Sequence, residues 1–592
     1  MHRRQHPGLR TSPGRILLVS LIVLSPCLKG LEARARAEQE IADHLQAIQQ
    51  LTEGALEASR AAAQAASVAE VKQHADHVFA AVWGVPSGLA EDGASGAAQT
   101  HGWKTRWQVD TDDFELETPE KFGVQPPAIN DPAQLGIEER QKDRLLVLTD
   151  IEADPDDTQS LVRLLLYANL IDIEGLVATT SVHQKTRVAP ESIERVIRAY
   201  GDVQPNLSRH ESGFPMEEDL LGLVKQGRAE YGMQGVGDEK DSEGSDWIIR
   251  VLEDDDERPL WISVWGGPNT LAQALYRIRE TKTEEEAERL ISKLRVYTIS
   301  DQDDSAIWIR SNFPNLFYIV SPGNYGRATW IAINNFVPGI DNETISNRWL
   351  AENIQQGHGP LGALYPDVAW GMEGDTPAFL PLIPNGLNVP ERPDWGGWGG
   401  RYELYIPEPT PLSNALAAPG QEDVSVAETR PIWTNADDHH VPYVPRDYGR
   451  SVRRDTVSFT SNKATLWRWR DAFQNDFAAR MDWTLMSYEE ANHPPVPPPG
   501  EEITVKSGEY FALDGSGTTD PDGDALSYLW FQYPEVGSYA EPIRLYAENL
   551  YRLFIRAPEV DKPETTHFIL SVTDKGTPAL TRYKRVIVNI VP

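Results

Sequence analysis

The sequence predicts an α/β protein: a doubly wound, mostly parallel sheet, preceded by an N-terminal helical segment and followed by a C-terminal β-sandwich. Three observations carry this. From Arg144 onward, short aliphatic runs alternate with segments whose apolar residues recur at helical spacing. The first run, Leu145–Thr149, is apolar nearly throughout, the pattern of a strand buried on both faces. After the Pro-rich stretch His493–Gly500 the pattern changes to short alternating segments separated by turn residues.

Residues 1–37 read as a signal peptide. His2, Arg3, Arg4, Arg10 and Arg15 precede the apolar run Ile16–Leu24, and Ala35-Arg36-Ala37 offers a cleavage site. The run is too short to span a bilayer, so the chain is expected to be secreted or periplasmic. The single cysteine, Cys27, lies inside this segment, and Pro26 before it makes a lipoprotein signal a poor fit. The exported chain would then hold no disulfide, thiolate metal site or cysteine nucleophile. Residues 38–90 have apolar positions at helical spacing (Ile41, Leu45, Ile48, Leu51, then Val68, Val71, Val78) and read as a helical hairpin. Residues 91–140 are rich in Gly, Pro and acids and read as a linker or wrapped arm.

Residues 141–492 form the α/β domain. Strands are expected at Leu145–Thr149, Ile173–Thr180, Pro259–Val264, Leu294–Ile299 and Leu316–Val320, with helices at Thr158–Asn169, Pro190–Tyr200, Gly244–Leu252 and from Asn269. After Tyr365 the chain reads as mostly irregular, up to one helix at Ser461–Trp483 capped by Ser461 or Thr460. Residues 493–500, HPPVPPPG, read as a stiff polyproline linker. Residues 501–592 have the size and spacing of an immunoglobulin-like sandwich. Its Asp520-Pro521-Asp522-Gly523-Asp524 loop is either a Ca²⁺ loop or an acidic turn, and Pro-Asp-Gly is itself a turn signal.

The net charge of −34 argues against nucleic acid or an anionic membrane as partner and favours neutral or cationic ligands, or a metal. No segment after the signal peptide is long and apolar enough to span a membrane. Motifs for a serine nucleophile elbow, a P-loop and a dinucleotide fingerprint are absent from the sequence.

The chemistry concentrates where the first strand ends. Asp150, Glu152, Asp154, Asp156 and Asp157 fall within eight residues, on the loop between a strand's carboxyl end and a helix. Open α/β sheets bind ligands there. Crowded carboxylates repel, and hard oxygen donors suit Ca²⁺ or Mg²⁺. The alternative is a solvated acidic loop that caps the helix. The spacing Asp150-x-Glu152-x-x-x-Asp156-Asp157 resembles the D-x-D-x-x-x-D-D signature of nucleoside hydrolases, with Glu152 where that family has Asp. LVATTSVHQ then matches the family's strand ending in Thr-Thr, with Gln184 near its sugar-binding Asn; WISVWGGPNTLAQAL matches its Gly-containing turn, and MEGDTPAFL its late helix-starting Asp.

The resemblance implies a Ca²⁺-dependent glycoside (N-ribohydrolase-like) hydrolase acting on a riboside or related sugar. Glu152, Asp157, Asp375 and the Asn269 carbonyl would bind metal. Asp156 and Gln184 would hold sugar hydroxyls, with Asp301 and Asp303 after the later strand on the substrate side. Glu152 or Asp150 would activate water, and His183 is either a leaving-group acid or a structural histidine. A closer resemblance, carried by MEGDTPAFLPLIPNGL, WGGWGGRYELY and ATLWRWRDAFQNDFAARMDW, is to bacterial secreted proteins described as cellulose-binding, which join a nucleoside hydrolase-like domain to a β-sandwich. It implies the alternative function, a non-catalytic carbohydrate-binding protein with a polysaccharide ligand. Trp395 and Trp398, with Tyr402, are then either a platform on which sugar rings stack or aromatics that pin a loop. Asp437, Asp438, His439 and His440 read as a polar surface loop.

Overall fold

The computed structural model describes residues 141–323, 325–408, 427–428, 430–442 and 458–592. The expected signal peptide, helical hairpin and arm lie outside the described residues.

Eight strands form the central sheet: β1 (Asp143–Thr149), β2 (Ile171–Ala178), β3 (Val224–Gln226), β4 (Leu260–Val264), β5 (Leu294–Thr298), β6 (Phe317–Val320), β7 (Tyr402–Tyr405) and β8 (Ile432–Asn435). Their order is β3-β2-β1-β4-β5-β6-β8-β7, parallel except for β7 against β8. Alternate residues of each strand enter different cores. Leu145 and Val147 of β1 pack with Trp261, Tyr297 and Ile319, while Leu146 and Leu148 pack with Ile262, Val296 and Val320. Helices Asp156–Leu165 and Pro190–His210 cover the first face; Glu243–Glu253 and Asn269–Thr281 cover the second. Two-sided burial is why these strands are aliphatic runs, and each such side chain contributes about 1.5–3 kcal/mol. The chain leaves β1 towards β2 and β3 and returns to β4 on β1's other side. This switch opens a crevice at the carboxyl ends of β1 and β4.

The stretch expected to be irregular after Tyr365 supplies β7 and β8. The single helix expected at Ser461–Trp483 is two pieces, Ala464–Trp467 and Arg470–Asp482. Between them the Trp469 indole turns back and donates to the Thr465 carbonyl at 3.1 Å. The Ser461 hydroxyl accepts the Ala464 amide at the start of the first piece.

β9 (Asp438–His440) and β10 (Phe459–Ser461) form an antiparallel pair. The C-terminal sandwich packs the sheet of β11 (Glu501–Lys506), β13 (Ser527–Gln532), β15 (Glu564–Thr573) and β16 (Thr581–Val591) against the pair β12 (Tyr510–Asp514) and β14 (Arg552–Arg556). Its core sets Phe511, Leu513, Leu553 and Ile555 against Trp530, Phe568, Leu570 and Val588. The outer face of the larger sheet is buried too. Ile569, Tyr583 and Tyr533 belong to the α/β core, beside Trp398, Trp469 and Phe473.

The 493–500 stretch is therefore a packed seam rather than an open spacer. His493 is buried against Asp522, and Val496 exchanges backbone hydrogen bonds with Thr519 at 2.8 and 3.1 Å. Asp438 corrects the reading of its segment as a surface loop. It is fully buried and accepts Arg401 Nε at 2.7 Å, Arg468 at 3.0 Å and the Tyr533 hydroxyl at 2.7 Å. Its two cations come from the α/β domain and its hydroxyl from the sandwich.

Asp438→Ala strands two buried guanidinium groups and is expected to cost about 3–5 kcal/mol, whereas Tyr533→Phe costs about 1 kcal/mol, both read from guanidinium-chloride unfolding midpoints.

Candidate metal centre

β1 carries the acidic loop to the crevice. The Thr149 hydroxyl closes the strand end by donating to the Asp157 carboxylate and accepting the Ile151 amide at 3.0 Å. The Ala153 amide returns to the Asp150 carbonyl at 2.9 Å, and Asp154 accepts the Asp156 amide at 3.2 Å. Asp156 and Asp157 begin the helix Asp156–Leu165, whose N-terminal dipole favours negative charge. One carboxylate oxygen each from Asp154, Asp156 and Asp157 lies within 4.8 Å of the others.

A distant loop brings a further acid, Asp375, within electrostatic reach of this group. Three side chains of the helix hold that loop. Gln159 accepts the Glu373 amide at 2.9 Å, Ser160 meets the Thr376 hydroxyl at 3.0 Å, and Arg163 pairs with the fully buried Glu373 at 2.6 Å. Glycines let the backbone close in. A Cβ on Gly374 would stand 2.7 Å from Asp156 Oδ2, and one on Gly266, after β4, 2.7 Å from Asp150 Oδ1.

The electrostatics follow from burial. Burial first, then Asp154, raises Asp150 from 3.8 to about 6, against an opposing Ser181 hydrogen bond. Burial pushes Asp156, Asp157 and Asp375 well above the carboxylate range, and mutual repulsion adds to each. Asp375 feels Asp156, Asp157, Asp150 and Asp154 in that order, and its buried Oδ2 has no hydrogen-bond partner. Asp303, on the neighbouring loop against Gly267, is raised to about 7 by burial and also holds a partnerless Oδ2.

Elsewhere the fold compensates its deeply buried acids. Arg310 grips Asp301, Arg163 grips Glu373, Arg401 and Arg468 grip Asp438, and Arg582 grips Asp476. Asp574 accepts from Asn492 and backbone amides. Among the described residues no Lys, Arg or His pairs with Asp150, Asp157, Asp303 or Asp375. A hard divalent cation fits this donor set: all-oxygen, anionic, partly desolvated, with one oxygen aimed at nothing. Asp154, Asp156, Asp157 and Asp375 would hold it, with Asp150 beside them.

Several expected site residues stand elsewhere. Glu152 has a left-handed backbone, φ 80°, which turns its side chain away to accept the Ser192 hydroxyl and Arg195 at 3.1 Å. These partners lower its pKa, with Ser192 the larger effect. Glu152 thus points away from the cluster, and Asp154, to which the resemblance assigns no role, stands in it. Asp301 is buried and pairs both oxygens with Arg310, at 2.8 and 2.7 Å, so it serves that ion pair. Asn269 heads the helix Asn269–Thr281, so its carbonyl faces the Gln273 amide, and its side chain braces Thr179, Thr180 and the Glu230 carbonyl. Gly266, not Asn269, is the loop residue at the acids. Gln184 donates to the Asp150 and Ile151 carbonyls at 3.2 and 3.1 Å and so positions the acidic loop. His183 meets the Tyr325 hydroxyl at 3.0 Å, and burial lowers its pKa.

Trp395 and Trp398 are not a platform. Trp398 is fully buried against Phe473, and Trp395 lies between Arg392 and Arg585 with its ring edge-on to His567 at 4.9 Å. Both pin their loop onto the sandwich. Sequence reasoning missed Tyr325 and Trp330, which pack edge to face at 5.6 Å, with Trp330 against Gly374.

Comparison with known proteins agrees with this architecture. The family model described as cellulose-binding Sde182, nucleoside hydrolase-like domain, matches residues 144–402, and the C-terminal domain of cellulose-binding protein Sde0182 matches residues 510–590. A solved structure of a nucleoside hydrolase-related protein from Saccharophagus degradans, described as associated with carbohydrate metabolism, is 36% identical. It covers 76% of this chain and 100% of its own, with a TM-score of 0.64. The chain belongs to this cellulose-binding, nucleoside hydrolase-like family. The effector proteins XOO4466 and XopQ, the latter complexed with adenosine diphosphate ribose, align at only 13% identity over 60% of this chain and 97% of theirs, with TM-scores of 0.26 and 0.25. No curated protein matches the chain. Among the described residues no helix is long and apolar enough to cross a membrane.

The raised acids set a pH dependence. They ionise at 3.8 in the unfolded chain and higher in the folded one, so the metal-free fold loses stability as pH rises from 3.8 through about 6 for Asp150 and about 7 for Asp303. In chelator the melting temperature is expected to fall between about pH 5 and about pH 7.5 and to recover on adding millimolar Ca²⁺. By calorimetric titration, Glu152→Gln leaves Ca²⁺ affinity within about twofold, whereas Asp157→Asn lowers it about tenfold or more.

Proposed function

We propose that this protein binds carbohydrate without turning it over, and that a divalent cation, Ca²⁺ by donor chemistry, completes its carboxylate cluster. The observation that carries the reading is the set of buried acids, Asp150, Asp157, Asp303 and Asp375, left without basic partners in a fold that compensates its other deeply buried acids. Bound there, the cation supplies coordination positions for the neighbouring hydroxyls of a sugar. The chain's own residues do the rest. Arg163 and Glu373 fix the Asp375 loop, Gln184 fixes the Asp150 turn, and Asp156 and Asp303 offer carboxylate oxygens to sugar hydroxyls.

The family's cellulose-binding description and the carbohydrate association of the Saccharophagus degradans relative support a polysaccharide ligand. The orientation of Glu152 supports binding over hydrolysis. The resemblance asks that position for a carboxylate on metal and water, and here it is held by Ser192 and Arg195. A displaced base costs orders of magnitude in rate. Export, as residues 1–37 predict, would bring the protein to such a ligand.

Purified protein is expected to be retained on insoluble cellulose, less so in EDTA, and to release no nitrophenol from p-nitrophenyl riboside with or without Ca²⁺. Turnover abolished by Asp150→Asn would replace this reading with the hydrolase, and absence of retention under either condition would end the carbohydrate reading.

A further inference from the structure

Trp370 is 93% exposed, the most exposed large apolar side chain among the described residues. Its backbone is left-handed, φ 65°, and the Gly371 amide bonds the Ala369 carbonyl across it at 2.7 Å. This is a γ-turn of the positive-φ kind, which is rare and strained. A Cβ at such a φ costs roughly 1–2 kcal/mol. The indole buries nothing that would offset this, so the turn does not serve the core. Strain of this kind that folding does not require points to a role on the solvent side.

The turn's position gives that role a direction. Five residues on, the same loop delivers Asp375 to the carboxylates, and Gly374 packs between Asp156 and the Trp330 ring. Trp330, Tyr325 and His183 follow one another along this edge of the cluster. The loop carrying Phe336, itself 69% exposed, adjoins the turn through Asn334, whose side chain lies against Gly371. The aromatic surface outside is thus continuous in the chain with the site inside.

We propose that Trp370, with Phe336 on the adjoining loop, is a stacking platform for a neutral polysaccharide whose end unit reaches the carboxylate cluster. An indole face matches the apolar face of a pyranose ring. The acids close by repel an anionic polymer. The inference rests on the carbohydrate-binding reading.

The full chain and its variants are tested for retention on insoluble cellulose and by calorimetric titration with cellohexaose, alongside melting temperature. Trp370→Ala is expected to weaken cellohexaose roughly tenfold and Trp370→Phe to keep most of the affinity. Trp370→Gly, which removes the strain, is expected to melt no lower than the parent and still to lose binding. Parent-like retention of Trp370→Ala overturns the platform. So does a dimer, seen by sedimentation, that Trp370→Ala converts to monomer with cellohexaose affinity unchanged. Retention of the parent that only Asp157→Asn abolishes leaves the carbohydrate reading standing and removes the platform, and a parent that binds neither probe removes both.

Discussion

Uncompensated charge cannot stay buried, and most of this fold is arranged around that constraint. The chain buries many acids, and outside the crevice it meets all of them but Asp574 with buried guanidinium groups. Arg163 sits in the middle of an aliphatic helix because Glu373 comes to it from more than two hundred residues away. Arg401 and Arg468 exist in the interior because Asp438 does. Each pair joins segments remote in sequence, so the charges act as addresses that tell loops where to dock. The crevice at the ends of β1 and β4 is where the rule is suspended. There the acids face one another, and the Arg163–Glu373 pair is what keeps the last of them, Asp375, from swinging out to water.

Much of the α/β layer was legible because its information is local. A parallel strand covered on both faces must be aliphatic throughout, so Leu145–Thr149 and Pro259–Val264 announce themselves, as do the helices between them. β7 and β8 were not legible. β7 is an edge strand with three of its four residues exposed, in a Gly- and Pro-rich setting with no periodicity to read. The break at Arg468–Trp469 was invisible for a different reason. Helix propensity runs through it, and the interruption comes from an indole that finds a carbonyl only once the chain is folded.

The candidate site divides along the same line. The acidic loop could be placed from its strand-to-helix position, and Asp375 from the resemblance of its surroundings. Glu152 could not, because a single backbone dihedral decides which way its side chain leaves the loop, and residue spacing carries no record of that angle. Trp395 and Trp398 show the limit for aromatics. Composition cannot separate a ring that waits for a ligand from one that already has His567 or Phe473 against it. Trp370, outside the glycine-rich stretch that holds those two, is the most exposed aromatic ring among the described residues.

The two-sided burial of the larger sandwich sheet has a consequence for inheritance. A module that recombination can move between proteins needs a surface that is content alone. Here β15 and β16 turn Ile569 and Tyr583 into another domain's core, and Arg585 spends its donors on the Leu387, Trp395 and Gly396 carbonyls. Cut at the prolines, both halves would expose apolar surface and orphaned carbonyls. The tail is thus not a transplantable appendage, and the two pieces can be shuffled only as a unit.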